Sequence, residues 1–401
     1  MRASDFAGKA PGRLVPTNDG AQAFVPDPLP NSIDLGHSTV RLLADAENAL
    51  GRLVGTTGRL VNPYLVGSPL LHREAILSSR MEGTITTPEQ LVLLEVSGTP
   101  QKPADHNTQE VLNYVRAMHH GISRLKDLPV CLRLFRELHC ELVHGVRGQR
   151  ERPGEFRDRQ NWIGNSGEPI HVARFVPPPV PEMLAALDDL EKYLHRTLTN
   201  SDPPLLIELA LVHYQFETIH PFRDGNGRIG RLLLPLLLYS RGRMRDPVLY
   251  LSSFFEGHRE TYMDLLLRVS QKADWHAWIE FFLNAVIESA EDCIHLSEGL
   301  LALRDRYSRQ FQAARSSALL QKLIDDLFRN PAVTIGRATK LLNVTPAAAS
   351  YNIGKLRDVG ILSEMTGRRK NKVFIAQEIM AFMHDADEAR PTAEATVQTT
   401  S

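Results

Sequence analysis

The sequence predicts a mainly α-helical protein, with one short β-hairpin set into a helical core and a small mixed module after it. Three observations carry that expectation. Apolar residues recur at helical spacing through most of the chain from Leu35 to Ile287. The stretch from Gly154 to Pro179 departs from this, with β-prone residues on either side of a turn. Past Ser316, helical runs give way to two β-prone runs around a basic turn.

The elements follow in order. Residues 1–30 are rich in Gly, Pro and small side chains and predict a disordered N-terminus. A helix through Leu35, Leu42, Leu43, Ala46 and Leu50 is expected to break at Gly51, Gly55 and Gly58. A second runs from Pro69 to about Met81 and stops at Gly83. Thr87-Pro88-Glu89 opens a third, with Thr87 as cap and Pro88 in the first turn. Further helices are predicted over 107–124, 129–144 and 181–198. In the hairpin, Asn161-Trp162-Ile163 and Val172–Val176 are the strands and Asn165-Ser166-Gly167 the turn. Pro177-Pro178-Pro179 ends it, because proline cannot continue a ladder. Leu205–Phe216 is a strongly apolar helix. The helix over Asn226–Arg241 contains Pro235, which removes a hydrogen bond to the Arg231 carbonyl and should bend it. Helices over 259–269 and 274–287 complete the core. A connector helix over 291–315 leads to the module at 316–380, and residues 381–401 are expected to be a disordered tail.

Composition narrows the classes. A chain of 401 residues holds two or three domains, and its net charge of −1 argues against a protein that coats polyanions over its whole surface. Cys131, Cys140 and Cys293 are widely spaced, which reads as reduced thiols in a cytoplasmic protein. No secretory signal is expected. The most apolar run, Leu232–Tyr239, is far shorter than a membrane span, so no membrane association is expected.

The chemistry concentrates in His220-Pro221-Phe222-Arg223-Asp224-Gly225-Asn226-Gly227-Arg228-Ile229-Gly230-Arg231. Gly225-Asn226-Gly227 lets backbone N–H groups turn into one concavity at the start of a helix, where the dipole favours an anion. Arg228 and Arg231 are three residues apart and can reach one polyphosphate. Asp224 can hold a Mg²⁺ ion that bridges phosphate oxygens. His220 can take a proton from an incoming hydroxyl. A glycine-rich turn with solvated arginines is the plain alternative, but base, metal ligand, anion cradle and cations together favour nucleotidyl transfer.

This run resembles the signature of the Fic (Fido) family, whose members transfer part of a nucleotide, usually AMP from ATP, to a protein hydroxyl. Glu155-Phe156-Arg157, Gln160–Gly164 and Ala173–Pro178 resemble that family's flap, and the likeness covers about Phe24 to Leu283. It implies a Fic-fold helical core over 126–290, preceded by a helical region over 31–125 that holds an inhibitory helix. It implies His220 as base and Asp224 as the Mg²⁺ ligand. Gly225, Asn226, Gly227, Arg228 and Gly230 would surround ATP, Arg231 would hold its terminal phosphate, and Tyr262 would line the adenine side. Trp162, Ile163, Gly164 and Phe175 would receive a target segment as an added strand. Ser78-Ser79-Arg80-Met81-Glu82-Gly83 matches the family's inhibitory motif. A carboxylate at Glu82 that forms a bidentate pair with Arg231 occupies the place of the phosphate, and Ser78 lies on the same helix face to anchor it.

The module at 316–380 resembles a winged helix-turn-helix. Its basic residues outnumber the acidic ones, with Arg368, Arg369 and Lys370 in the turn, and Ser350, Tyr351 and Asn352 could face a DNA groove. Winged helices also serve dimerisation and protein docking, so both DNA and a homodimer stay open. The reading is an autoinhibited adenylyltransferase acting on a Ser, Thr or Tyr hydroxyl of a protein. Its alternatives are a DNA-binding regulator whose core senses nucleotide, and an enzyme that also removes AMP.

Overall fold

An antiparallel hairpin, β1 (Gly12–Pro16) with β2 (Gln22–Pro26), opens the chain where disorder was expected. Phe24 is fully buried, and its N–H donates to the Val176 carbonyl at 2.9 Å. The loop carries Asn18-Asp19-Gly20, with Gly20 at φ 75°. That turn signal was present between two apolar pairs, and the Gly and Pro content around it concealed it. The structure is a computed structural model. It describes residues 3–6, 8–58, 62–97, 105–164, 167–196, 203–311, 317–367 and 371–384.

Helix α1 (His37–Thr57) continues through Gly51 and Gly55 instead of breaking there. It packs along a much later helix, and buried Ala46, Ala49, Leu50 and Leu53 outweigh the propensity cost of two glycines. Helix α2 (Tyr64–Arg80) starts earlier than Pro69, and nearly all its residues are buried. Helix α3 (Pro88–Ser97) begins with a reciprocal cap: the Gln90 N–H donates to Thr87 Oγ1 and the Thr87 N–H to Gln90 Oε1. Then come α4 (Asp105–Arg124), α5 (Leu132–Leu142), α6 (Val180–Arg196), α7 (Leu205–Ile219) and α8 (Asn226–Ser240). Helices α7 and α8 are buried almost all round, as expected of helices apolar on every face. Helix α8 passes through Pro235 without ending.

Between α5 and α6 the predicted hairpin is reduced to one bridge. Ile163 and Phe175 exchange N–H to carbonyl bonds of 2.8 and 3.1 Å, while Ile170–Val172 forms a 3-10 turn instead of a strand. Side chains hold the segment in place of a ladder: Gln160 Nε2 donates to the Pro177 carbonyl and Trp162 Nε1 to that of Glu168. The expected turn residues Asn165 and Ser166 lie outside the described residues.

After α9 (Ser252–Gly257) and α10 (Arg259–Lys272), α11 (Trp275–Arg309) runs for 35 residues. There is no separate connector: one helix about 50 Å long crosses residue 291. Its continuity follows from α1, which covers it and pairs Arg52 with Glu291 at 2.5 Å. The C-terminal module comprises α12 (Ser317–Arg329), β3 (Ala332–Thr334), α13 (Ile335–Leu342), α14 (Pro346–Asp358), β4 (Ser363–Glu364), β5 (Val373–Ile375) and α15 (Gln377–Met380). Its antiparallel sheet has the order β3-β5-β4. Thr334 and Thr345 cap α13 and α14 through their side chains.

The module is docked on α2 and α3. Val92 of α3 is fully buried in a cluster with Ala332, Val373, Ile375, Met380 and Met383. Glu95 of α3 accepts from Asn330 Nδ2 at 2.7 Å and meets His72 of α2 at 3.1 Å. The Arg329 guanidinium lies over the Tyr64 ring. The start of the expected tail is also ordered: Ala381–Met383 forms a 3-10 turn and His384 meets Glu89 at 2.9 Å. Arg368, Arg369 and Lys370 lie outside the described residues.

Candidate active site

Helix α7 ends at Ile219, and His220 caps it in the left-handed region at φ 48° and ψ 61°. A side chain with a Cβ is strained there, and buried contacts hold it. Arg157, 2% exposed, donates Nε to the His220 carbonyl at 3.0 Å and Nη2 to the Pro178 carbonyl at 2.5 Å. His220 Nδ1 lies 3.3 Å from the Glu217 carbonyl. A carbonyl only accepts, so Nδ1 carries the proton and Nε2 keeps its lone pair. Burial, reinforced by the charge of Arg157, lowers the His220 pKa to about 4.

The loop after His220 is folded back on itself. Phe222 is fully buried and stacks on His139, with ring centroids 4.0 Å apart. Asn226 accepts from the Phe222 N–H and donates to its carbonyl, each at 2.8 Å. His139 accepts from the Gly154 N–H through Nδ1 and therefore donates Nε2–H to the Asp224 carbonyl at 3.1 Å. Burial pushes His139 down to about 4 and keeps it neutral for that role. Gly225, at φ 79°, allows the turn into α8. The Asp224 carboxylate accepts from the Gly225 N–H at 2.7 Å, with Arg147 and Arg228 each at 3.6 Å.

A cavity of about 480 Å³ opens beside the loop, between Glu82, Gly227, Arg231 and His220 on one side and Ile163, Gly164, Phe175 and Tyr262 on the other. Arg231 is 3% exposed and engaged there through Nε and Nη2. Nε donates to Ser78 Oγ at 2.9 Å, and Nη2 to the Ser78 carbonyl and to Glu82 Oε1, both at 2.8 Å. The Glu82 contact is therefore a single hydrogen bond and not the bidentate fork; Ser78 takes the other donor. Burial opposes ionisation of Glu82, but the Arg231 charge outweighs it and holds the carboxyl below its ordinary range. A Cβ on Gly227 would lie 2.2 Å from Glu82 Oε1, so the carboxylate rests on the glycine face of α8. Gly83, at φ 81°, turns the chain away immediately after it.

Other expected site residues are placed differently. Arg228 is fully buried away from the cavity, paired with Glu110 at 3.1 Å. The two arginines therefore do not converge on one space. Asn226, 2% exposed, closes the loop. Tyr262 lines the cavity, but its ring stacks on Phe255 at 4.7 Å and its hydroxyl meets His213 Nε2 at 2.8 Å. Trp162 is 42% exposed beside Ile163 and Gly164, while Phe175 is buried against Phe24. Sequence reasoning missed Arg157, His139 and Glu110. Arg157 belongs to the run that resembles the flap, but nothing in that run marks it as the residue that holds His220, and His139 carries no local pattern. Glu110 is distinguished only by its tertiary partners, since Oε2 meets both Arg228 and Thr84 Oγ1.

Residues 129–238 match the Fic/DOC family model, and residues 40–123 match the model of the Fic/DOC family N-terminal region. The chain carries Fic/DOC family domains. The protein adenylyltransferase Fic of Drosophila grimshawi is 36% identical over 143 residues, which span 34% of this chain and 26% of that protein. The protein of the same name from Drosophila mojavensis is also 36% identical, over 34% of this chain and 25% of its own. The match thus spans about a quarter of the length of these relatives. A Fic family protein from Desulfovibrio desulfuricans G20 has the same fold, with a TM-score of 0.52 and 19% identity over 86% of this chain and 97% of its own. A Fic domain containing signaling protein from Bacteroides thetaiotaomicron gives 0.50 and 20% over 65% and 97%. In this Fic core the signature loop lies within the matched region, while the cavity also draws Arg259, Glu260 and Tyr262 from beyond it. The C-terminal module lies beyond it. Among the described residues no helix is long and apolar enough to cross a membrane.

Proposed function

We propose that the protein is a protein adenylyltransferase held inactive by Glu82. One observation carries the reading: Glu82 and Ser78 occupy Arg231 inside the cavity that His220 also lines. In the reaction, a target Ser, Thr or Tyr oxygen attacks the α-phosphorus of ATP. His220 Nε2 takes its proton, the bond to the β-phosphate oxygen breaks, and pyrophosphate leaves. A neutral His220 at neutral pH suits a base, and Arg157 fixes the backbone that aims it. Ile163 and Phe175 border the cavity beside exposed Trp162, where a target segment would lie.

A Mg²⁺ ion fits the donor set. The Asp224 carboxylate, two residues before α8, accepts from the Gly225 N–H and does not line the cavity itself, and Mg²⁺ is commonly held by one or two carboxylates, with phosphate oxygens and water completing its shell. Asp224 would hold the ion, which supplies charge neutralisation for the triphosphate.

For the C-terminal module we favour a winged helix that binds DNA. The sheet order and capped α13 and α14 support the fold, and Tyr351, 64% exposed, with Ser350 lies on the open face of α14. Asn352 cannot contribute, because it is 4% exposed and donates to the Ala348 carbonyl.

The test is intact-mass spectrometry of wild-type and Glu82→Gly protein, incubated with ATP, Mg²⁺ and a cell lysate. A gain of one AMP unit on the enzyme or on a lysate protein is expected for Glu82→Gly. No AMP on any protein would sink the reading.

A further inference from the structure

The cavity wall holds a second carboxyl group that the mechanism above does not use. Glu217, on the last turn of α7, lines the cavity together with Glu82, Arg231 and His220. Its Oε1 is buried and has no hydrogen-bond partner. A buried polar atom left without a partner is costly, which points to a partner supplied from outside the chain. The seat is shaped for it: a Cβ on Gly230 would come within 2.1 Å of Glu217 Oε1. Gly227 and Gly230, one turn apart on α8, thus make room for two carboxyl groups, Glu82 and Glu217.

Only one of the two is paired. Arg231 gives its hydrogen bonds to Glu82 and Ser78. When a terminal phosphate replaces Glu82, Arg231 faces up to two negative charges from the phosphate, and an ionised Glu217 would add a third. A protonated carboxyl instead offers an O–H donor at the same place. We propose that Glu217 is a phosphate-positioning residue, whose protonated carboxyl donates a hydrogen bond to the terminal phosphate of ATP once that phosphate has taken the Glu82 place on Arg231. This rests on the adenylyltransferase reading for the identity of the nucleotide.

The surroundings agree. Burial pushes Glu217 up to about 7, with Arg231 opposing and Glu82 adding to the rise. The other charged and titratable groups facing the cavity are His220 at the end of the same helix, Arg259, Glu260 and Tyr262 on α10, and Glu168 and Arg174 on the flap. His220 is held near 4 and the Tyr262 hydroxyl is raised well above its usual value, so neither titrates near neutrality.

The experiment is calorimetric binding of ATP in Mg²⁺ buffer from pH 5.5 to 8, in the Glu82→Gly protein and with Glu217→Gln or Glu217→Ala added. Transfer onto the enzyme is followed in parallel. Binding to Glu82→Gly should weaken as pH rises, because the donor is lost and a repelling charge appears. Added Glu217→Gln should flatten that dependence relative to its parent, since an amide keeps a donor and does not titrate. Ionisation of ATP itself is common to both and cancels in the comparison. Added Glu217→Ala should weaken binding about tenfold to a hundredfold at pH 5.5, the worth of a hydrogen bond to a charged group. Parallel pH profiles for parent and Gln variant, or an Ala variant that binds as tightly as its parent, would overturn the proposal. Binding that follows this pattern without any transfer would leave the proposal standing and remove the transferase reading.

Discussion

His220 illustrates how a single residue is tuned by its position. Its left-handed backbone is held by Arg157, its Nδ1 by the Glu217 carbonyl, and burial keeps the ring neutral. His220→Ala should therefore abolish transfer, by about 10²–10⁴-fold, while ATP still binds; single-turnover transfer and calorimetry read the two separately. Transfer near the wild-type rate would remove the mechanism. Glu82→Gly should act in the opposite direction. A brake that leaves about 1% of molecules competent gives up to about 100-fold on release. The gain should depend on the freed guanidinium, so Glu82→Gly with Arg231→Ala should be no faster than Arg231→Ala alone. Label transfer from α-labelled ATP measures both. An unchanged or lower rate for Glu82→Gly, with intact circular dichroism, would reassign Glu82 to structure or to removal of AMP. The signature run stood out in the sequence because a histidine, a carboxylate, glycines and arginines sit within twelve consecutive positions. The direction of each side chain was not legible there. Arg228 and Arg231 look equivalent along the chain, yet Glu110 on α4 draws one inward while Ser78 and Glu82 on α2 and its following turn hold the other at the cavity. No spacing rule shows which distant helix will supply a partner.

At the scale of elements, periodicity located the long helices and failed where tertiary contacts overrode local propensity. The glycines of α1 are the clearest case, since burial against α11 carries the helix past them. A Cβ at Gly51 or Gly55 would meet nothing within 4 Å, and neither has a positive φ. Gly51→Ala and Gly55→Ala should each raise stability by about 0.5–1 kcal/mol, measured by urea unfolding. Destabilisation would show that α1 needs its glycines for a reason other than space. The hairpin expected over 161–176 failed for the converse reason. Its residues favour strand, but Gln160 takes the Pro177 carbonyl, next to which a ladder would have continued, and Trp162 folds onto the Glu168 carbonyl of the loop. The hairpin that does form, at 12–26, was hidden by a composition read as disorder, although its strands place Phe24 in the core.

Across the whole molecule, the C-terminal module is fastened to α2, which carries Ser78, and to α3, which follows Gly83. The sheet covers Val92 on α3, Asn330 reaches Glu95, and α12 lies on α2. Val92→Ala should loosen this docking at a cost of roughly 2 kcal/mol. Hydrogen exchange would then quicken in α2 and α3 before α7 and α8; uniform exchange across all four helices would show that docking is not a local event. The fastening also has a thermodynamic consequence. If undocking the module loosens the helix that seats Glu82, the two equilibria share one free energy, and coupling of that kind is reciprocal. A ligand that prefers the undocked module would then tighten ATP binding by some factor, and ATP would tighten that ligand's binding by the same factor. A surface on the C-terminal module would thereby set the nucleotide concentration at which this protein responds.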